Sequence, residues 1–261
     1  MVKYMKTEHR PTLRVLNILE VISENNNELT FTDIYSKLKI SKSTIQPILK
    51  TLVEENFINY DKSTKTYSIG FNFFKYAQVF LNDENPFVII KGEMKKIVNE
   101  CNEICQMGTI DKSDPKKVFY IAKEISDQPI QLISSVGKSL PAHATALGKC
   151  LLTRYSDSEI RQLYSDGLEK LTENTITDID QLIENINIVR KNGFAVEDGE
   201  SSSSITCIAF PLISKGHIAA SISISIPKYR ATDEKKLFIK ETLSKHCKKI
   251  NEILDDIPLT F

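Results

Sequence analysis

The chain lacks a net charge of either sign: 34 Lys and Arg are matched by 34 Asp and Glu over 261 residues. Global basicity therefore does not advertise a nucleic acid partner. Also missing are a glycine-rich phosphate loop, a nucleophile elbow and any metal-ligand spacing, and there are only four histidines. No ready-made catalytic or metal centre is legible, and no cofactor is expected. The five cysteines, an odd number spread widely, suit reduced thiols rather than a disulfide framework. No apolar run approaches a membrane span, and the N-terminus lacks the apolar core of a signal peptide. A soluble, cytoplasmic protein without membrane contact is expected. The length suits one large domain or two, without internal repeats or low-complexity tracts.

What is present is an uneven distribution of charge. Residues 1–82 hold 11 Lys and Arg against 8 Asp and Glu, and residues 34–53 hold four lysines and no acid. That local field sits in a segment, 31–69, with the pattern of a winged helix-turn-helix. Residues 32–38 have amphipathic helical spacing, with Ile34, Tyr35 and Leu38 on one side, and Lys39, Ile40 and Ser41 form the turn. The following helix opens near Ser41 or Ser43. It carries Ile45, Ile48, Leu49, Leu52 and Val53 on one face and Lys42, Ser43, Thr44, Gln46 and Lys50 on the other. Residues 56–60 and 66–69 are β-prone runs around a polar connection whose tip carries Lys62 and Lys65. Lysines attract phosphate, hydroxyls can bond phosphate oxygens, and Gln46 can pair in bidentate fashion with adenine. Lys42, Ser43, Thr44, Gln46, Lys50, Lys62 and Lys65 are the candidate contacts to a duplex.

Residues 11–24 should form a first helix, with Val15, Leu16, Ile18, Leu19 and Ile22 as its buried stripe and Asn25, Asn26 and Asn27 ending it. Residues 70–81 should form another, with Phe71, Phe73, Phe74, Tyr76 and Phe80. So many rings exceed what a free linker should expose, which points to burial against a second domain or a second subunit, and so to a homodimer. The polar stretch 82–86 then marks a boundary. This divides the chain into a DNA-binding domain (1–69), a linker helix (70–85) and a C-terminal domain (86–261). In the last, helices are expected over 87–105, 142–153, 156–165, 177–192 and 232–254. Strands are expected over 106–110, 118–123, 130–134, 194–197, 205–213 and 217–225. Paired strands with grouped helices imply an α+β domain with a mostly antiparallel sheet.

Two other readings stay open from the residues alone. Winged helices also serve as protein-interaction modules that never touch DNA, although Lys42, Lys50, Lys62 and Lys65 argue against this. A Cys-dependent enzyme could be built from His143 with Cys150 or Cys207, and Glu197 with Asp198 could form an acid pair. The cysteines lie in apolar periodic surroundings, where an inert buried thiol is the usual case. Cys101 and Cys105, one turn apart on an expected helix, could hold half a zinc site, but no partner has suitable spacing.

Several strings converge in order and spacing. They are Leu16-Asn17-Ile18-Leu19-Glu20, Ser41-Lys42-Ser43-Thr44, Leu52-Val53-Glu54-Glu55 and Tyr67-Ser68-Ile69-Gly70. Further along come the run from Pro141 through His143 to Gly148-Lys149, then Gly193-Phe194-Ala195, Cys207-Ile208-Ala209 and Ser223-Ile224-Ser225. In these the chain resembles the IclR-type transcriptional regulators over nearly its whole length. The resemblance implies a winged-helix domain, a linker helix and a GAF-like effector-binding domain, acting as a homodimer or dimer of dimers on double-stranded operator DNA. It further implies a regulator, in the expected case a repressor and not an enzyme, controlled by a small organic acid or aromatic metabolite. Its pocket would be lined by Ala146, Leu147, Glu197, Ile205, Cys207, Ser223 and Ser225. An apolar floor, serine hydroxyls and backbone amides at a helix start suit a carboxylate. The sequence departs from the family at Glu197, where Asp is usual, at Ser204 and Ile226, where Gly is frequent, and at Pro47 within the recognition helix. A cap at Ser43 would leave Pro47 in the first turn at little cost, whereas a cap at Ser41 predicts a kink.

Overall fold

The computed structural model describes residues 9–25, 28–81, 85–128 and 136–259. The chain forms two compact units, Met1–Asn82 and Asp83–Phe261.

In the first unit, α1 (Arg10–Glu24), α2 (Phe31–Leu38) and α3 (Lys42–Glu54) enclose a core of Ile18, Ile22, Ile34, Ile45, Leu49, Leu52 and Ile58. Leu16, expected in the buried stripe of α1, is 54% exposed. At 100° per residue it points well away from the line through Ile18 and Ile22. Thr30 starts α2 with a capping box: its hydroxyl accepts from Asp33 N–H, and the Asp33 carboxylate accepts from Thr30 N–H at 2.9 Å. Lys39, in left-handed geometry (φ 52°), ends the helix and aims the chain into α3. Ser41 is the cap residue of α3, and the helix runs without interruption to Glu54 across Pro47. Pro47 is thus the sixth helical residue, and the Ser43 carbonyl loses its usual N–H donor.

The wing consists of β2 (Ile58–Asp61) and β3 (Thr66–Ile69), paired antiparallel, with the short β1 (Leu29–Thr30) on the other side of β3. Asp61 ties its tip, accepting from Ser63 N–H at 2.7 Å and from the Ser63 hydroxyl. Helix α4 (Phe71–Phe80) packs Phe73 and Tyr76 near the Phe57 ring, while Phe71 and Phe74 are 70% and 58% exposed.

The second unit opens with α5 (Pro86–Cys101), which ends at Asn102 in left-handed geometry. The helix expected to reach Cys105 therefore stops four residues earlier. Cys105 belongs to β4 (Ile104–Ile110), so it does not share a helix turn with Cys101. β5 (Lys117–Glu124) follows; the strand expected over 130–134 lies outside the described residues, and β6 (Ser139–Pro141) was not anticipated. The single helix expected over 142–153 is broken at Thr145, whose extended backbone separates a 3₁₀ turn (Ala142–Ala144) from α6 (Ala146–Leu152). The Thr145 hydroxyl accepts from Gly148 N–H at 3.1 Å. A side chain at Gly148 would begin 2.2 Å from the Ala142 carbonyl oxygen, so the sharp corner needs glycine. Then come α7 (Asp157–Leu163), α8 (Ile179–Asn192), β7 (Ala195–Asp198), β8 (Ile205–Ser214), β9 (His217–Pro227) and α9 (Asp233–Asp256).

Among the described residues, six strands make one antiparallel sheet in the order β6-β5-β4-β9-β8-β7. Strand β9 explains its two layers. Residues 221–226 alternate serine and isoleucine, so Ile222, Ile224 and Ile226 enter one core with α5 and α9. Ser221, Ser223 and Ser225 turn to the face that carries α6. A second core, built from α6, α8 and residues of β5, β7 and β8, occupies that face. Each fully buried isoleucine contributes about 1.5–3 kcal/mol relative to exposure.

Candidate nucleic-acid interface and ligand cavity

On α3 the buried residues Ile45, Leu49 and Leu52 fix which side is free. Lys42, Ser43, Gln46 and Lys50 are exposed on it, and Thr44 is half-buried. Ser41 gathers the hydroxyls of the first turn, lying 3.1 Å from Ser43 Oγ and 2.8 Å from Thr44 Oγ1. Lys42 Nζ sits 5.2 Å from the centre of the Tyr35 ring, an arrangement that steadies its long side chain beside the turn. Lys50 is 3.7 Å from Glu54, but both are well exposed, so that pair contributes little. Lys62 and Lys65 are exposed at the wing tip. Tyr35, read from the sequence as an apolar position of α2, and Ser41, read as a turn or cap residue, also support the polar face of α3.

In the second unit, Ala146, Leu147, Glu197, Ile205, Cys207, Ser223 and Ser225 border a single cavity of about 420 Å³. Gln106, Tyr120, Thr145 and the loop serines Ser201, Ser202 and Ser204 complete much of its wall. Cross-strand register brings them together: Gln106 lies opposite Ser223, Cys207 opposite Ser225, and Glu197 opposite Cys207. Ser225 donates to Gln106 Oε1 at 3.1 Å and lies 3.2 Å from Cys207 Sγ. Gln106 was missed because a lone glutamine gives no signal until β4 is paired with β9.

Glu197 is fully buried. Its Oε1 accepts from the backbone N–H groups of Glu200 and Ser201. Its Oε2 meets no donor at hydrogen-bond geometry; the Cys207 thiol beside it, 3.2 Å from Ser225 Oγ, still interacts with the carboxyl and opposes the rise of its pKa. Burial pushes the Glu197 carboxyl above the ordinary glutamate value, against the pull of the two N–H donors. The loop is pinned from behind, since Thr172 donates to the Gly199 carbonyl at 2.6 Å and Thr175 to the Glu200 carbonyl at 2.7 Å. Lys149, completely buried, pairs with Glu200.

The thiols do not form a nucleophilic site. Desolvation raises Cys150 to about 12 and Cys207 well above the usual thiol range. His143 Nε2 is engaged with the Glu169 carbonyl at 2.8 Å, and burial lowers its pKa. Asp198 pairs with Lys228 and accepts from Thr206, so it does not join Glu197 as an acid pair. Cys101 and Cys105 are buried thiols, and no group of three metal-ligating side chains occurs among the described residues.

Comparison with known proteins follows the same division. The IclR helix-turn-helix domain matches residues 11–62, and the C-terminal domain of the bacterial transcriptional regulator IclR matches residues 81–252. The chain belongs to the IclR family of bacterial transcriptional regulators. Like other IclR proteins it joins a DNA-binding helix-turn-helix domain to a C-terminal effector domain. It is 26% identical over 226 residues to the HTH-type transcriptional regulator KdgR of Escherichia coli K12, covering 85% of this chain and 84% of that one. It is 26% identical over 224 residues to the transcriptional repressor IclR of the same strain, covering 85% and 81%. The fold is shared with an IclR regulator from Alicyclobacillus acidocaldarius at a TM-score of 0.84, 23% identity, and coverage of 94% and 98%. An IclR homologue from Microbacterium hydrocarbonoxydans, solved in complex with 4-hydroxybenzoate, matches at a TM-score of 0.80, 18% identity, and coverage of 93% and 99%. No helix among the described residues is long and apolar enough to cross a membrane.

Proposed function

We propose that this IclR-family regulator is a cytoplasmic repressor that binds a near-palindromic operator as a homodimer or dimer of dimers and answers to a small organic acid. Lys42, Lys50, Lys62 and Lys65 would hold phosphates, Ser43 and Thr44 would orient the helix, and Gln46 would read a base. The exposed rings of Phe71 and Phe74 supply the apolar surface for association through α4.

The observation that carries the ligand reading is the common wall made by Ala146, Leu147, Glu197, Ile205, Cys207, Ser223 and Ser225 around about 420 Å³, a volume suited to a small metabolite. The homologue with bound 4-hydroxybenzoate supports a carboxylate. Such a ligand acts only by preferring one arrangement of the DNA-binding domains over another.

The test is a mobility shift of genomic operator fragments at several salt concentrations, with and without candidate acids. Retention that weakens with salt, and a ligand response abolished by Ser223→Val with Ser225→Val while DNA binding persists, are expected. Absence of retention at low ionic strength rejects DNA binding and leaves the interaction-module reading.

A further inference from the structure

Among the described residues, the cavity wall offers hydroxyls, an amide, a thiol and a phenol, and a single carboxyl group, Glu197. No lysine, arginine or histidine borders it among the described residues. The buried ammonium group nearby, Lys149, is taken by Glu200. An anion entering this space meets no compensating cation among the described residues, and the wall includes Glu197, whose Oε2 is a buried oxygen with no donor at hydrogen-bond geometry. Two carboxylates in such a low-dielectric space cannot both stay ionised.

We propose that an acidic effector binds with Glu197 protonated, the Oε2–H donating to the ligand carboxylate, so that binding takes up one proton from solution. This rests on the reading that the ligand is a small acid. The proton adds to the Glu197 carboxylate, no other bond changes, and the site gains one negative charge with the ligand and loses one at Glu197.

The groups around Glu197 leave it as the one whose charge can change. Across the strands, burial raises the Tyr120 phenol and the Cys207 thiol, so both remain protonated. From the α6 side, Lys149 offsets the Glu200 charge. His143, whose electrostatic partners include Glu200 and Lys149, has its pKa lowered by burial, which favours the neutral ring, and it donates to the Glu169 carbonyl. Glu197 itself is raised by the same desolvation. Protonation and a ligand acceptor also give Oε2 the well-formed hydrogen bond that its buried position lacks.

The experiment is titration calorimetry of the full chain with acetate, succinate, benzoate and 4-hydroxybenzoate. Each is run in two buffers of different ionisation enthalpy at pH about 6 and about 8, with circular dichroism confirming the fold. Uptake approaching one proton per ligand is expected, with affinity falling up to about tenfold per pH unit above the Glu197 pKa. Glu197→Gln, whose amide donates at every pH, should remove both effects while binding persists; Glu197→Asp should keep them. If Glu197→Gln does not fold, proton uptake by the unaltered chain still decides. An acid that binds the unaltered chain without uptake or pH dependence, or a pH slope that survives in Glu197→Gln, overturns the proton linkage alone. Failure of all four acids to bind at either pH overturns the acid-effector reading and the linkage with it.

Discussion

The free side of α3 and the wall of the cavity are both polar surfaces on an apolar support, yet they are built in opposite ways. On α3, polarity is charged and exposed, and it comes from neighbours in sequence: Lys42, Ser43, Gln46 and Lys50 within three turns of one helix. In the cavity, polarity is uncharged apart from one carboxyl, is buried, and comes from distant segments: Gln106, Glu197, Cys207 and Ser225 on four strands. The first arrangement works through a field that reaches into solvent and is screened by salt. The second works through short directional bonds among largely buried groups. A polyanion of variable sequence suits the first; discrimination among small molecules suits the second.

The strongest challenge to this contrast is made on strand β9, where supporting and lining residues alternate. Ile222→Ala, on the face packed against α5 and α9, should destabilise the fold by about 2–5 kcal/mol, read as a lower midpoint in denaturant. Ser223→Val, one residue along on the cavity face, should leave that midpoint nearly unchanged while the ligand response is lost. If the two substitutions cost the same stability, the separation of support from site is wrong.

A second test concerns charge that supports rather than recognises. Although desolvation opposes ionisation, hydrogen bonds from Lys249, Lys96 and His246 hold Glu93 at about 2. Because the folded pKa lies below the ordinary value near 4.5, Glu93 contributes stability above that value and loses it as pH falls toward about 2. The full contribution is on the order of 3 kcal/mol. Glu93→Gln should remove that much at neutral pH and flatten the acid limb of a stability–pH profile. An unchanged limb would show that the α5–α9 ion cluster does no net work.

On α3 the expected effects are smaller and separable. Gln46→Ala should relax sequence preference at one position by about 1–3 kcal/mol, measured as the ratio of operator to random-DNA affinity. Lys42→Ala should weaken all sequences alike and lower the salt slope by about one. The reverse pattern would exchange the roles given to these two residues.

The recognition helix was legible because its chemistry follows one period: apolar positions at helical spacing imply the orientation of everything between them. Its cap was not, since Ser41 and Ser43 both fit, and the helix continues across Pro47 rather than choosing the start that would place proline in its first turn. In the second unit, strand identity was mostly readable from β-prone runs. The break at Thr145 was not, because residues 142–153 have an unbroken helical pattern, and only the approach of Gly148 to the Ala142 carbonyl turns the chain there. Likewise α5 stops at Asn102, a local signal too weak to outweigh the helical spacing of Ile97, Val98, Cys101, Ile104 and Cys105. The cavity residues taken from family resemblance came as a set of positions without a geometry. Gln106 and Tyr120, which complete the wall, had no local signature at all.

The sequence by itself determined the family, the helix-turn-helix and its charge, and the alternation of serine with isoleucine along β9, because each depends on period, order or composition along one stretch of chain. Tertiary structure alone decided that Glu197 lies buried with an unpartnered oxygen while Lys149 is spent on Glu200. Desolvation and hydrogen-bond satisfaction are properties of what surrounds a group, and its surroundings come from strands far apart in the chain.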